Sequence, residues 1–185
     1  MTTCLLCLLE EPSAEEMLRS LLPRILPEAV EVKYMVFEGK QDLEKHLEKR
    51  LRGWQRPDSY FLVIRDQDSG DCKVIKQGLC EKVNASGKSA RTLIRIACRE
   101  LESFYLGDLQ AVEKGLNLKD ISKHQQNHKY RSPDQLANAA EELRKLTKNQ
   151  YQKKQGSREI APYLRLDETN TSHSFNVLIS GIRKH

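Results

Sequence analysis

Little in this sequence could hold a chain together covalently or carry it through a membrane. Only five of its 185 residues are cysteine, an odd number with no framework spacing. Such a set excludes a disulfide scaffold and points to a reducing compartment. Long hydrophobic runs are missing as well. The apolar start, residues 2–9, is far too short to span a bilayer and runs straight into acids. It therefore reads as neither an anchor nor a secretion signal, and the expectation is a cytoplasmic protein with no membrane partner. Internal repeats and long low-complexity linkers are lacking too. Neither sign of charge dominates: the net charge is +5, which permits an acidic partner such as nucleic acid without demanding one.

What is present is an alternation of apolar runs and helical patterns. Residues 3–9 form a continuous apolar run, the signature of a strand buried on both faces. Ser13 with Glu16 has capping-box spacing, and Met17, Leu18, Leu21, Leu22 and Ile25 give a helical apolar face. A second strand is predicted over 30–37, a charged helix over 41–52 with Leu43, Leu47 and Leu51 inward, and a third strand over 60–64. A helix or loop follows at 73–82, then a fourth strand at 92–98. Strands alternating with helices imply a mainly parallel four-stranded sheet in an α/β fold. After about residue 110 the chain turns polar and helical, and bases outnumber acids over 123–165. Ser132 and Pro133 predict a helix over 133–147. The expected organisation is an α/β core over 1–110 with a helical, basic extension over 111–185 packed on it.

Cys4 and Cys7 make a C-x-x-C. Residues three apart on a strand point to opposite faces, so these read as small core residues and not as metal ligands.

The position of the acids carries the functional signal. Open parallel sheets place their sites beyond the carboxyl ends of the strands. Glu10 follows the first predicted strand, Asp66 and Asp68 the third, and Glu100, Glu102 and Asp108 the fourth. Carboxylates gathered at one edge repel, and a divalent cation resolves that repulsion. Hard oxygen donors suit Mg2+ or Mn2+. Other candidates are weaker. The 66–71 loop fails as an EF-hand, since Gly70 stands one place early and Gln77 occupies the place of the bidentate glutamate. The Ser86–Ser89 segment resembles the end of a P-loop, but Lys82 stands where the first glycine belongs. His124 and His128 have helical metal-ligand spacing without an evident third partner, and His173 lies between two serines as a possible proton carrier.

Two resemblances arise at these residues. Glu10-Glu11-Pro12-Ser13 before a helix, with Asp66-Gln67-Asp68 after a later strand, resembles the acidic motifs of Toprim domains over about residues 1–110. That resemblance implies a Rossmann-like fold and magnesium-dependent chemistry on phosphodiesters, as in nucleases of the overcoming-lysogenisation-defect type. The sequence departs from the pattern at Glu11, where Toprim usually has glycine, and at Ala14, where those nucleases often carry a second acid. A second metal would need Glu100, Glu102, Asp108 or Asp71. The whole chain resembles more closely a bacterial family described as domain of unknown function 4276. The residues that carry this are Glu10 to Ser13, Arg65 to Cys72, Glu100 to Glu102, Leu106 to Asp108, Arg131 to Pro133 and Ser172 to Phe175. It implies an anti-phage setting beside an ATPase of the ABC or SMC type.

The resulting expectation is a nuclease acting on DNA or RNA. Glu10, Asp66 and Asp68 are the catalytic and metal-binding acids, Glu102 and Asp108 hold a second ion, and Lys129, Lys153, Lys154 and Arg158 contact the phosphates. The competing readings are a non-catalytic subunit that docks on the ATPase and a phosphoryl or nucleotidyl transferase. Self-association is left open by the sequence.

Overall fold

The structure is a computed structural model and describes residues 2–184. Four strands, β1 (Cys4–Leu9), β2 (Glu31–Val36), β3 (Ser59–Asp66) and β4 (Thr92–Ala97), form one sheet in the order β2-β1-β3-β4, every pair parallel. The central strands β1 and β3 are the two near-continuous apolar runs. Leu5, Cys7 and Leu9 of β1, with Leu62 and Ile64 of β3, enter one core layer. Leu6 and Leu8, with Phe61 and Val63, enter the other. A strand covered on both faces has no solvent side on which to place a polar residue, hence the lack of alternation. β2 does have one: Glu31 and Lys33 are exposed on this edge strand.

Helix α1 (Pro12–Leu21) follows β1 on the first face, and α2 (Lys40–Arg52) and α3 (Cys72–Ala85) cover the second. On α1, Met17, Leu18 and Leu21 are fully buried, each burial contributing about 1.5–3 kcal/mol. On α2, Leu43, Leu47 and Leu51 form the buried stripe. Sulfur at Cys4 and Cys7 is free and buried within β1. The first crossover leads from β1 outward to β2, and the second returns past β1 to β3. The strand order thus reverses between β1 and β3, which opens a crevice at their carboxyl ends.

The rest of the chain is short helices: α4 (Ser103–Leu106), α5 (Leu109–Gly115), α6 (His128–Arg131), α7 (Ala139–Leu146), α8 (Lys153–Ile160) and α9 (His173–Lys184). Residues of α4, α5, α7, α8 and α9 join the core layer over α1. Gly115 and α8 approach so closely that a Cβ at Gly115 would lie 2.5 Å from the Glu159 carbonyl oxygen. No helix among the described residues is long and apolar enough to cross a membrane.

Two local expectations need correction, and one left open between helix and loop is decided. The helix predicted over 133–147 is a 3-10 turn at Pro133–Gln135 followed by α7. Tertiary partners decide the break: Asp134 accepts bonds from Ser172 and the Ser174 amide at the start of α9, and Glu100 accepts the Ala140 amide at the start of α7 (2.8 Å). The segment at 73–82 is helical throughout, within α3, with Asp71 as its N-cap. Ser13 is not the cap of α1. Pro12 is already helical, Glu11 holds the cap position, and the Ser13 hydroxyl donates back to the Glu11 carboxylate.

Candidate functional site

The crevice between β1 and β3 gathers acids from three strand ends. Glu10 is the first residue past β1, and its carboxylate accepts the Asp66 amide (2.9 Å). Asp66 closes β3, is 7% exposed, and accepts the Leu101 amide (3.1 Å). Glu102 lies in the turn after β4 and is 0% exposed. One of its oxygens accepts the Tyr151 hydroxyl (2.9 Å), and the other has no hydrogen-bond partner. Glu11 is half-buried beside Ser13.

These groups feel one another. Burial pushes the Asp66 carboxyl well above its ordinary range, and the charges of Glu11, Glu10 and Glu102 push it further. Glu102 is also raised by burial, against the nearby Lys153 ammonium and with the charge of Glu11. Glu10 is raised by burial, opposed by its bond from the Asp66 amide and reinforced by Asp68 and Glu11. Lys153 is the answering cation. Burial would lower its ammonium, but Glu102, Glu11 and Asp66 together outweigh that and raise it. Its Nζ lies 3.4 Å from Glu11 and 3.9 Å from Glu102.

Asp68 stands at the outer side of the cluster. Its backbone is left-handed (φ 54°), and its amide donates to the carbonyl of Arg99, itself left-handed (φ 63°). Its carboxylate is paired with Lys40 at the start of α2 (2.8 Å). Arg65 is buried beneath this rim. It donates to the Asp66 carbonyl (2.9 Å) and lies 3.0 Å from Glu44 without hydrogen-bond alignment.

The expected site residues therefore divide. Glu10, Asp66, Asp68 and Glu102 come to the same sheet edge. Asp108 is spoken for elsewhere: fully buried, it caps α5 and holds Arg165 through the guanidinium (2.8 Å) and the Arg165 amide (2.9 Å). Its bonds run to the start of α5 and to Arg165, and the structure does not bring it together with Glu10, Asp66 and Glu102 as a hydrogen-bonded group. Glu100 and Asp71 are likewise engaged as helix caps. Of the expected phosphate contacts, Lys129 is bound to Glu142 (2.7 Å), while Lys154 and Arg158 pair with Glu16 on α1 (4.0 and 2.7 Å). Lys153 alone of the four enters the acid cluster. His173 is exposed at the start of α9, while the serines flanking it bind Asp134. His124 contacts Asn127.

Sequence reasoning missed Glu11, Lys40 and Tyr151. Glu11 could have been found, since it sits at the same strand end as Glu10. Tyr151 could not, because nothing local ties it to Glu102.

Among the described residues, no group of three or more histidine, cysteine or acidic side chains is placed so that it could hold a metal ion. Asp68 pairs with Lys40, Glu102 accepts the Tyr151 hydroxyl, and Glu10 and Asp66 accept backbone amides. The acids here offer only oxygen donors, the kind that small, hard divalent cations take, and one buried oxygen of Glu102 has no hydrogen-bond partner.

Compared with known proteins, residues 9–183 match the model of the family described as domain of unknown function (DUF4276). No curated protein and no solved structure matches the chain.

Proposed function

We propose, from the premise that the chain belongs to the DUF4276 family, that it is a divalent-cation-dependent phosphodiesterase of the Toprim kind, cutting DNA or RNA. The observation that carries this reading is Asp66. It is an acid buried at the reversal point of a parallel sheet, with the charges of Glu10, Glu11 and Glu102 pressing on it. Structural acids of a core are normally matched one to one by a cation, as Asp108 is by Arg165. Here acids outnumber cations in a crevice where α/β sheets bind ligands.

Asp66, with Glu10 and Asp68 on one side and Glu11 and Glu102 on the other, would hold Mg2+ or Mn2+. When bound, the ion supplies charge neutralisation on the phosphate and a more acidic water. The chain's own groups do the rest. Lys40 and Arg99 border Asp68 at the rim and offer positive charge to a phosphate backbone. Glu10, held above its ordinary range by burial, is suited to accept a proton from an attacking water. Lys129, Lys154 and Arg158 pair with Glu142 and Glu16, acids outside the crevice, whereas Lys40 pairs with Asp68 at its rim.

Control by an ATPase of the ABC or SMC type, in an anti-phage setting, rests on the family resemblance and forms part of the proposal. The test is cleavage of supercoiled plasmid and of single-stranded DNA and RNA with MgCl2 or MnCl2, with and without such an ATPase, for wild type and Asp66→Asn. Metal-dependent cutting lost in Asp66→Asn by about 100-fold or more is expected. Cutting that survives the substitution would place the chemistry elsewhere. Absence of cutting in every condition would favour the docking subunit, and transfer to an acceptor without hydrolysis would favour a transferase.

A further inference from the structure

The opposite edge of the sheet holds a second cavity, walled by cations instead of acids. Its volume is about 320 Å³, and it lies at the amino ends of β3 and β4, where Ser59 and Thr92 begin those strands. Trp54, Arg56, Ser59, Gly87, Lys88 and Arg91 are in its lining, and no acid is among the described residues that line it. Arg56 is engaged by Glu31 (2.6 Å). Lys88 and Arg91 have no ion pair among the described residues, and the Arg91 guanidinium lies 5.7 Å from the centre of the Tyr60 ring.

We propose that this cavity binds a nucleoside monophosphate, with the phosphate on Lys88 and Arg91 and the base against the indole of Trp54. The site is separate from the acid crevice, and the inference goes beyond the metal-dependent reading above.

Each part of that ligand has a counterpart here. A phosphate ester is a compact, multiply charged anion, and two cations without acid partners on one turn match it. A base offers a π-face, which stacks on an aromatic side chain whatever the base. Trp54 is half-buried, and its indole N–H donates to the Ser59 hydroxyl (2.9 Å), which donates in turn to the Arg56 carbonyl (3.1 Å). The ring is thus held in place before anything binds. The turn that carries the cations is held as well. The Ala85 carbonyl accepts from Arg52 (2.8 Å), and the Lys88 carbonyl accepts the Arg91 amide (3.1 Å) and the Thr92 hydroxyl (2.8 Å). Gly87 follows the end of α3 in left-handed backbone (φ 76°), and a Cβ there would meet nothing within 4 Å, so the turn stands open. This is the Ser86–Ser89 segment whose sequence resembles the end of a P-loop. It follows α3 and leads into a single 3-10 turn, so the cradle of amides at a helix start is missing and side-chain cations take its place. The cavity is at the small end of the range for ligand pockets, which suits one nucleotide and not a strand.

Trp54 is the only tryptophan of the chain, so its emission reports on this cavity. The test is titration of the full-length protein in chelator with AMP, GMP, CMP and UMP, followed by tryptophan fluorescence and by calorimetry, for wild type, Lys88→Met, Arg91→Gln and Asp66→Asn. Adenosine and inorganic phosphate serve as ligands that each lack one half of the nucleotide. Saturable quenching by at least one nucleotide is expected, with affinity about tenfold lower in Lys88→Met and in Arg91→Gln and unchanged in Asp66→Asn. Adenosine and phosphate are each expected to bind about tenfold or more weakly than the nucleotide. The two cation variants stand at separate surface residues, and their melting temperatures check that they fold. No saturable binding of any nucleotide, wild-type affinity in both cation variants, or phosphate binding as tight as that of the nucleotide overturns the proposal. Nucleotide binding that is lost in Asp66→Asn and kept in the cation variants would place the nucleotide in the crevice, which overturns it as well while leaving the metal-dependent reading in force.

Discussion

At the scale of single residues, the crevice places energetic cost and chemistry in the same atoms. Glu10, Asp66 and Glu102 are all raised, first by burial. A carboxyl raised in the folded state contributes stability below its unfolded value, near 4, and loses it as pH climbs through the folded value. In chelator, this cluster is expected to lower the unfolding temperature as pH rises above about 4. Glu16, Asp42 and Glu113 are lowered by their partners and act in the opposite sense, losing stability as pH falls below about 4. Asp66→Asn removes the most strongly pressed member. It should raise the metal-free melting temperature at pH 8 by about 2–4 °C for each kcal/mol relieved and flatten the profile above pH 5. Calorimetric scans across that range check it, and a lower melting temperature for Asp66→Asn at pH 8 would contradict it. The residues show where the sequence was legible. Glu10, Asp66 and Asp68 could be placed at one edge because strand ends are visible as apolar runs meeting acids. Asp108 has the same local appearance, but its partner Arg165 lies 57 residues away and leaves no trace beside it.

At the scale of elements, helices with buried acids at their starts should be separable from the site. Asp108→Ala removes the cap of α5 and strands Arg165. Cap loss costs about 1 kcal/mol and losing a partner of a half-exposed arginine a similar amount, so roughly 2 kcal/mol in urea unfolding is expected, with Mn2+ affinity unchanged. Reduced Mn2+ affinity at full stability would restore Asp108 to the site. Gly115→Ala tests the seat of α8. Its Cβ would collide with backbone at Glu159 and Ile160, which cannot swing aside as a side chain can. A cost of about 1–3 kcal/mol in urea unfolding is expected. The elements also show where reading the sequence fell short. Strands β1 and β3 and helix α2 were legible because burial on two faces, or on one stripe, writes a period into the residues. The predicted helix over 133–147 was broken by Glu100 and Asp134, whose roles as caps depend on contacts between distant segments.

At the scale of the molecule, the helices after β4 are as much a part of the core as the sheet is. The layer over α1 contains Leu5, Leu9 and Leu18 together with Leu109, Leu143, Ile160, Phe175 and Ile182. A fragment of residues 1–110 would expose the buried side of α1, so it is expected to be aggregated or to lack cooperative melting by near-ultraviolet circular dichroism. A cooperatively melting, soluble fragment would show that the sheet and α1–α3 stand alone. The same helices bring Tyr151 and Lys153 to acids made by the sheet, so the crevice is built by both halves of the sequence. The parallel α/β character was legible from the alternation of runs. The closure of its site by residues 151–153 was not, because it depends on how α8 lies against α1.

The central claim is that the crevice between β1 and β3 holds a divalent cation. The most direct measurement is anomalous diffraction from crystals of the protein grown with MnCl2. A manganese peak within coordination distance of Asp66 is the expected result. A map with no peak beside Asp66 in a crystal grown with saturating Mn2+ would contradict it.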